Sequence, residues 1–360
     1  MYESYYKKFV SFINRVIDTI LPELLKYKHR KYLFLLIAVV LASLFIFFSL
    51  LLVRYDYLAV EGSGEIPVVY QRYGYNVEAE SITNISIDWH RGDVKFIVSD
   101  TAENISVIEL SEKRLLTNQR FDISSNENTL KIKWISSQIP INFLQNSEKR
   151  LQIIIPKNMA AALENIECKN FEGDITINQI NSNNIDISST LGSIKSDRVE
   201  TSKAFFKTKN GDIVCTSSKS DDLVLSATTG NISVKALHSP KTEAKTSFGD
   251  IYLQGEFSDF LSVYSTSGYV RADLDQCPEK TELQSAHGDI LLRLPKPAID
   301  DGFELDYYKG RNSLNLPYKD LKLQDKKGVY THGSGRYKLK LITTYGEINI
   351  GVNIKKEGTP

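Results

Sequence analysis

Isoleucine and valine recur at a fixed interval through the middle of the chain, each two positions after a glycine. Six glycines follow one another at intervals of 19 residues and a seventh comes after 20, namely Gly173, Gly192, Gly211, Gly230, Gly249, Gly268 and Gly288. The residues two positions later are Ile175, Ile194, Ile213, Ile232, Ile251, Val270 and Ile290. So regular a period is typical of a solenoid, in which each repeat buries its apolar side only against its neighbours.

Two further columns of mostly apolar residues accompany each glycine. Four positions after it stand Ile177, Ser196, Cys215, Val234, Leu253, Ala272 and Leu292. Five positions before it stand Cys168, Ile187, Phe206, Leu225, Ala244, Val263 and Leu283. Because side chains alternate between the two faces of a strand, the columns predict two inward-facing strands on either side of a turn. We therefore expect an all-β fold, a parallel β-solenoid with about 19 residues per coil.

The polar residues around each glycine indicate turn chemistry. Asp, Ser, Asn or Tyr follows the glycine, and we expect Asp or Asn there to bond its own backbone while the glycine supplies a positive φ. Three positions before the glycine the residues are small, and hydroxyls in that column could satisfy one another. Calcium binding would need a fuller glycine-rich repeat than one glycine per turn, so a turn is the better interpretation.

The repeats are flanked by less regular β-rich sequence. We expect N-terminal coils and a cap over 60–165, regular repeats over 166–294, and an inserted loop with a C-terminal repeat or cap over 295–360. Gly92 precedes Gly173 by more than four periods, and Gly346 follows Gly288 by three periods plus one residue. The Tyr-containing stretch between 295 and 336 either projects as a loop or forms the C-terminal cap.

The N-terminal part of the chain contains a long uncharged apolar segment. Residues 33–53 are 21 uncharged residues, enough to cross the hydrocarbon core as one transmembrane α-helix. A cleaved signal peptide, the alternative, would have a shorter apolar region and a small-x-small site. Residues 1–31 carry a net charge of +4, so the positive-inside rule predicts a cytoplasmic N-terminus and an extracytoplasmic C-terminal domain. That amphipathic segment either lies on the inner leaflet or only guides insertion.

Charge, cysteine content and motif spacing argue against several classes of function. The 44 basic and 44 acidic residues cancel, which gives no reason to expect nucleic acid as a partner. We expect Cys168, Cys215 and Cys277 to be buried small hydrophobes. The five histidines lack metal-ligand spacing, and no nucleophile elbow or phosphate-binding loop is present. The sequence therefore predicts no catalytic, cofactor-binding or metal-binding residue and no cofactor.

The repeated Gly-Asp-Ile unit, the segment LQIIIPKN before the repeats and the N-terminal apolar segment resemble the bacterial putative-adhesin β-strand-repeat family of DUF4097 type. The resemblance covers about 80–355 of the chain. Anchored members resemble accessory proteins of Gram-positive envelope-stress systems, which implies a role in the cell envelope. The family offers no catalytic residues to transfer.

The favoured hypothesis is a non-enzymatic, single-pass membrane protein whose extracytoplasmic solenoid binds, scaffolds or senses, with the membrane and a cell-wall or envelope protein as partners. One alternative is a polysaccharide-active β-helix enzyme, which would need carboxylates clustered in a cleft. The other is an accessory subunit of a transmembrane signalling system, in which the cytoplasmic segment contacts the partner.

Overall fold

The computed structural model describes residues 70–78, 81–112, 114–135, 149–310, 313–317 and 325–353. The predicted cytoplasmic segment 1–31 and the predicted anchor 33–53 lie outside the described residues. Those that are described belong to one compact unit, Val69–Pro360. Within these ranges, no helix has both the length and the apolar character needed to cross a membrane.

The described chain forms coils with two strands each, one entering and one leaving a glycine corner. Face A consists of the entering strands and their edge strands: β2 (Asn84–Arg91), β5 (Asp122–Asn126), β6 (Thr129–Lys133), β8 (Leu163–Glu172), β10 (Asn181–Leu191), β12 (Glu200–Asn210), β14 (Lys219–Thr229), β18 (Lys280–Ser285), β20 (Gly302–Tyr308), β22 (Lys327–Gly333) and β23 (Tyr337–Thr343).

Face B consists of the leaving strands and their edge strands: β1 (Gln71–Val77), β3 (Val94–Ser99), β4 (Ile105–Ser111), β7 (Lys149–Pro156), β9 (Ile175–Asn178), β11 (Ile194–Asp197), β13 (Ile213–Thr216), β17 (Val270–Gln276), β19 (Ile290–Pro295), β21 (Leu314–Asn315) and β24 (Ile348–Asn353). Two long strands, β15 (Ile232–Phe248) and β16 (Ile251–Ser267), run through both faces. The helices α1 (Lys157–Ala160) and α2 (Lys296–Asp301) and a 3₁₀ turn at Thr117–Gln119 connect strands.

Neighbouring coils pair in parallel with a register of one sequence period. On face A, Ile187 lies between Cys168 and Phe206. On face B, Ile213 lies between Ile194 and Ile232. All three predicted inward columns are buried in the regular coils, including the polar Ser196. The predicted parallel β-solenoid of 19-residue coils is therefore confirmed.

The corner glycines are required by close approach of backbone to backbone. A Cβ atom on Gly211 would lie 2.2 Å from the carbonyl oxygen of Gly192, and one on Gly268 would lie 1.9 Å from that of Gly249. The left-handed φ that we expected holds for some members, such as Gly173 at 122°, but Gly268 is outside that region. Contact with the preceding coil therefore excludes a side chain throughout the column, whatever the φ angle.

Side chains at the corner form hydrogen bonds with the neighbouring coils, which corrects two expectations. The Asp174 carboxylate accepts from the backbone N–H of Ser193 at 2.8 Å, and not from its own backbone. Three positions before the glycine, the Thr208 hydroxyl donates to the carbonyl oxygen of Gly192 at 2.8 Å, and not to another hydroxyl. Both bonds recur in several other coils, because coils with equivalent side chains lie one strand spacing apart.

At the N-terminal end, the order of coils in space differs from their order in the chain. The coil β2–β3 lies between β6–β7 and β8–β9. Gly92 therefore packs directly against Gly173, although more than four periods of sequence separate them. The antiparallel strands β4 and β1 extend face B beyond β7, and β5 extends face A beyond β6.

The C-terminal end repeats this arrangement. The coil β23–β24 lies between β18–β19 and β20–β21, so Gly346 packs on Gly288. The two glycines are thus only one coil apart in space, although three periods and one residue separate them in the sequence. The described part of 295–336 forms α2, the outer coil β20–β21 and the antiparallel strand β22. Of the two alternatives for this stretch, a projecting loop or a C-terminal cap, its described part forms a terminal coil.

Substituting Gly211 with alanine tests the close approach. We expect Gly211→Ala to lower the free energy of unfolding by about 3 kcal/mol, since a methyl group there overlaps backbone that cannot retreat without separating two coils. The matched control is Gly74→Ala, where an added Cβ meets nothing within 4 Å. Denaturant unfolding of the full-length protein in detergent compares the two. Equal midpoints would contradict the packing described for the corner.

Candidate ligand-binding face

One outward-facing column of face A alternates lysine with another residue. In stacking order it is Lys133, Asp88, Lys169, Ser188, Lys207, Ser226, Lys245 and Tyr264. We call this column the lysine row. Its lysines occupy every second coil, and adjacent strands lie about 4.8 Å apart, so successive lysines are about 9.6 Å apart at their backbones.

Two adjoining grooves lie along the row, each around a serine. The first has a volume of about 1040 Å³ and is lined by Lys169, Ser188 and Lys207 of the row. The second has a volume of about 250 Å³ and is lined by Lys207, Ser226 and Lys245. A serine between two long lysine side chains leaves a depression in the sheet surface. The alternation in sequence therefore contributes to both grooves, and the first also extends to Asp88, His90 and Trp134.

Exposed aromatic rings form walls of both grooves. Phe171 and Phe205 line the first groove, while Phe205 and Tyr264 line the second. Their exposed fractions are 45%, 38% and 36%, so each ring is accessible although it is anchored on a rigid strand. The His90 ring, which also lines the first groove, stacks on Phe171 with centroids 5.0 Å apart.

The N-terminal wall of the first groove is built on a buried ion pair. Lys149 Nζ lies 3.1 Å from Glu109 Oε1, and both side chains are almost fully buried. The same ammonium lies 4.2 Å from the ring centroid of Trp134, which lines the groove. Trp89 Nε1 donates to the Lys149 carbonyl at 2.9 Å and meets Trp134 edge to face. Burial raises the pKa of Glu109 and lowers that of Lys149, while each partner opposes the other's shift.

Carboxylates flank the lysine row unevenly. Lys169 is paired with Glu167, whereas neither Lys207 nor Lys245 forms an ion pair with a carboxylate of the described chain. Lys245 instead lies over the Tyr264 ring. Partial removal from water raises the pKa of the Asp186 carboxyl, and the Glu167 charge adds to the rise against the opposing charges of Lys169 and Lys207.

Candidate chemistry elsewhere is sparse in the described ranges. No three His, Cys, Asp or Glu side chains there converge as metal ligands. Cys168, Cys215 and Cys277 are free and buried, as predicted for small hydrophobes. Burial raises the pKa of Cys215 and Cys277 to about 12, so the thiolate form is disfavoured.

Our sequence prediction named no site residue and missed the lysine row. One signal was available, because Lys169, Lys207 and Lys245 follow one another at intervals of two periods. Lys133 and Asp88 could not have been added in this way, since their coils are out of chain order. The aromatic walls also come from different columns of the repeat.

The family is decided by a match over most of the solenoid. The protein-family model described as Toastrack DUF4097 matches residues 82–351 of this chain. This chain belongs to the Toastrack DUF4097 family. The match includes every coil of the stack from β2 to β24, and it confirms the resemblance that the repeated glycine unit suggested. The comparison with curated proteins found no match.

Solved structures show only distant similarity. A protein named a putative adhesin from Bacteroides fragilis NCTC 9343 is 16% identical, with a TM-score of 0.45, covering 62% of this chain and 97% of its own. Putative adhesins from Parabacteroides distasonis ATCC 8503 and Parabacteroides merdae ATCC 43184 are each 12% identical, with TM-scores of 0.43 and 0.40. They cover 78% and 65% of this chain, and 97% and 98% of their own. None of them assigns a ligand to this Toastrack chain.

Removing Lys149 tests the ion pair beneath the groove wall. We expect Lys149→Met to lower the free energy of unfolding by about 3 to 5 kcal/mol, because Glu109 would be left as a buried charge without compensation. Both tryptophans of the chain lie beside this pair, so tryptophan fluorescence during denaturant unfolding reports on it directly.

The matched control is Lys157→Met, which removes an ion pair whose two side chains are about three-quarters exposed. That variant should unfold at the wild-type midpoint, since exposed pairs are screened by water. If the two variants unfolded alike, the buried pair would not be what holds this end of the stack.

Proposed function

We propose that this protein is a non-enzymatic, membrane-anchored cell-envelope protein whose solenoid holds a ligand on face A. The observation that carries the proposal is the lysine row, with two grooves and exposed aromatic walls on one side of a rigid stack. Aromatic rings with a few placed polar groups are the usual composition of binding sites that form before the ligand arrives. Membership of the Toastrack family supports a binding or scaffolding role.

The anchor and the orientation come from sequence and form part of the proposal. Residues 33–53 would cross the membrane once, and the positive charge of 1–31 would keep the N-terminus in the cytoplasm. Face A would then meet its ligand outside the cytoplasmic membrane. A neutral overall charge suits a protein that binds through one local surface and not through a global field.

Catalysis on a glycan is the second candidate, and Asp186 is the residue that favours it. A carboxyl group with a raised pKa in a groove is typical of a general acid. Glycoside hydrolysis needs a second carboxyl group across the scissile bond, and Asp88 is the other carboxylate that lines the first groove. Turnover of a bound glycan by the wild type, lost in Asp186→Asn, would replace the non-enzymatic proposal.

Reversing charge on the lysine row tests whether face A is the binding surface. We expect the double variant Lys207→Glu, Lys245→Glu to reduce at least tenfold the cell-wall and membrane material recovered with the full-length protein from crosslinked cells. The control variant Lys195→Glu, Lys235→Glu changes the same number of charges on face B and should recover wild-type amounts.

Equal recovery by both double variants would place binding elsewhere. A further variant that lacks residues 2–25 but keeps the anchor tests the signalling alternative. If its recovery fell while the face A variant recovered normally, the partner would bind the cytoplasmic segment.

Cysteine labelling tests the orientation. The three native cysteines are buried, so the folded wild type should remain unlabelled by a membrane-impermeant maleimide. We expect Asp221→Cys, at an exposed position of the solenoid, to react in intact cells. Ser4→Cys should react only after the cells are permeabilised. Labelling of Ser4→Cys in intact cells would refute the proposed orientation.

A further inference from the structure

We propose that the lysine row binds an extended, linear acidic glycan that carries an anionic group on every second sugar and lies across the coils. The inference rests on the proposed function and names its ligand class. The carrying observation is the strict alternation of lysine with another residue along the row, combined with a groove at each intervening serine.

The period of the row fits such a polymer. Successive lysines are about 9.6 Å apart because they are separated by two strand spacings. A sugar in an extended β-linked glycan advances by roughly one strand spacing. Alternate sugars would therefore lie over lysines and over the grooves at Ser188 and Ser226.

The grooves suit the sugar rings themselves. Phe205 lines both grooves, together with Phe171 in the first and Tyr264 in the second, so each groove offers two rings for a sugar to stack on. The apolar side of a pyranose can stack on such a ring, as other amphipathic groups do. Around the rings, the hydroxyls of Ser188 and Ser226 and the carboxylate of Asp186 can bond sugar hydroxyls.

The same arrangement disfavours a polymer with a charge on every unit. Such a polymer would place one anionic group over Ser188, next to Asp186 and with no cation in that coil of the row. A second would lie over Ser226, where the row again offers only a hydroxyl. Single-stranded nucleic acid has a phosphate on every nucleotide and needs a continuous basic track. The charge pattern therefore favours an alternating acidic glycan over nucleic acid.

Lysine recognises the anionic group as a point charge, so carboxylate and phosphate are both suitable. The two sources are distinguished by probes. Hyaluronan oligosaccharides carry a carboxylate on every second β-linked sugar. Cell-wall glycan bearing phosphate, compared before and after hydrofluoric acid treatment, tests the phosphate source.

The decisive experiment measures the binding of full-length protein in detergent to four probes of similar length. These are a hyaluronan oligosaccharide, polygalacturonate with a charge on every sugar, a neutral β-linked N-acetylglucosamine oligomer, and oligo-deoxythymidylate. We expect the alternating polymer to bind at least tenfold more tightly than each of the other three. The phosphate-bearing wall glycan is measured alongside them, and if it alone binds this tightly and loses binding after acid treatment, the anionic group is phosphate.

Two variants test the role of the row. The double variant Lys207→Ser, Lys245→Ser should bind hyaluronan at least tenfold more weakly and with a shallower salt dependence, whereas Lys195→Ser, Lys235→Ser on face B should bind like the wild type. The double variant Ser188→Lys, Ser226→Lys places a lysine on five consecutive coils, from Lys169 to Lys245. It should shift the preference toward polygalacturonate, which a merely structural role of the row would not do.

The outcomes separate this inference from the proposed function. Equal affinity for charged and neutral glycans, or tighter binding of oligo-deoxythymidylate, would overturn the alternating-charge ligand while leaving face A as the binding surface. Full retention of hyaluronan binding by Lys207→Ser, Lys245→Ser would overturn the row as its site. Failure of the charge-reversed variant to lose envelope material would overturn the proposed function itself.

Discussion

The rest of the structure depends on how closely successive coils approach at the glycine corner. The carbonyl oxygen of one glycine occupies the space that a Cβ atom on the next would need, so the stack tolerates no side chain there. This contact fixes the position of each coil on its neighbour. Hydrogen bonds such as the one that Thr208 donates to the preceding coil and the one that Asp174 accepts from the next coil then link neighbouring corners. A parallel register of one period on both faces follows from that alignment.

At both ends of the stack, the spatial order of the coils differs from their order in the sequence. At each end, the outermost coil comes in the sequence between two coils that pair directly with each other in space. Strands that are out of sequence order therefore close the array. The buried pair of Lys149 and Glu109 lies in the N-terminal end, where β4 pairs with β7. Burial of a charged pair is costly without good geometry. Here the ammonium also lies over Trp134, so the same pair supports the wall of the first groove.

Because the coils repeat at a fixed spacing, the outer surface of face A presents its side chains in columns at regular intervals. Lysine and serine alternate from Lys169 to Lys245 along one column, Tyr264 follows in the same column, and Phe171 and Phe205 lie in columns beside it. No element has to move to assemble the grooves, since each wall is anchored on a paired strand. A rigid surface with a repeat is well suited to a ligand that is itself periodic, which is the basis of the function proposed for this Toastrack protein.

The sequence by itself determined the coil, since a 19-residue repeat of glycine and aliphatic residues leaves one way to bury Ile213 and its equivalents. It also identified the family and the burial of Cys215. Tertiary structure alone decided the stacking order at both ends, because pairing between β2 and β8 joins strands across a long insertion. It decided the N-terminal part of the lysine row for the same reason, whereas the two-period spacing of Lys169, Lys207 and Lys245 is already present in the sequence. Lys133 lies in register with Asp88 only after the chain has folded back, and no spacing in the sequence records that return.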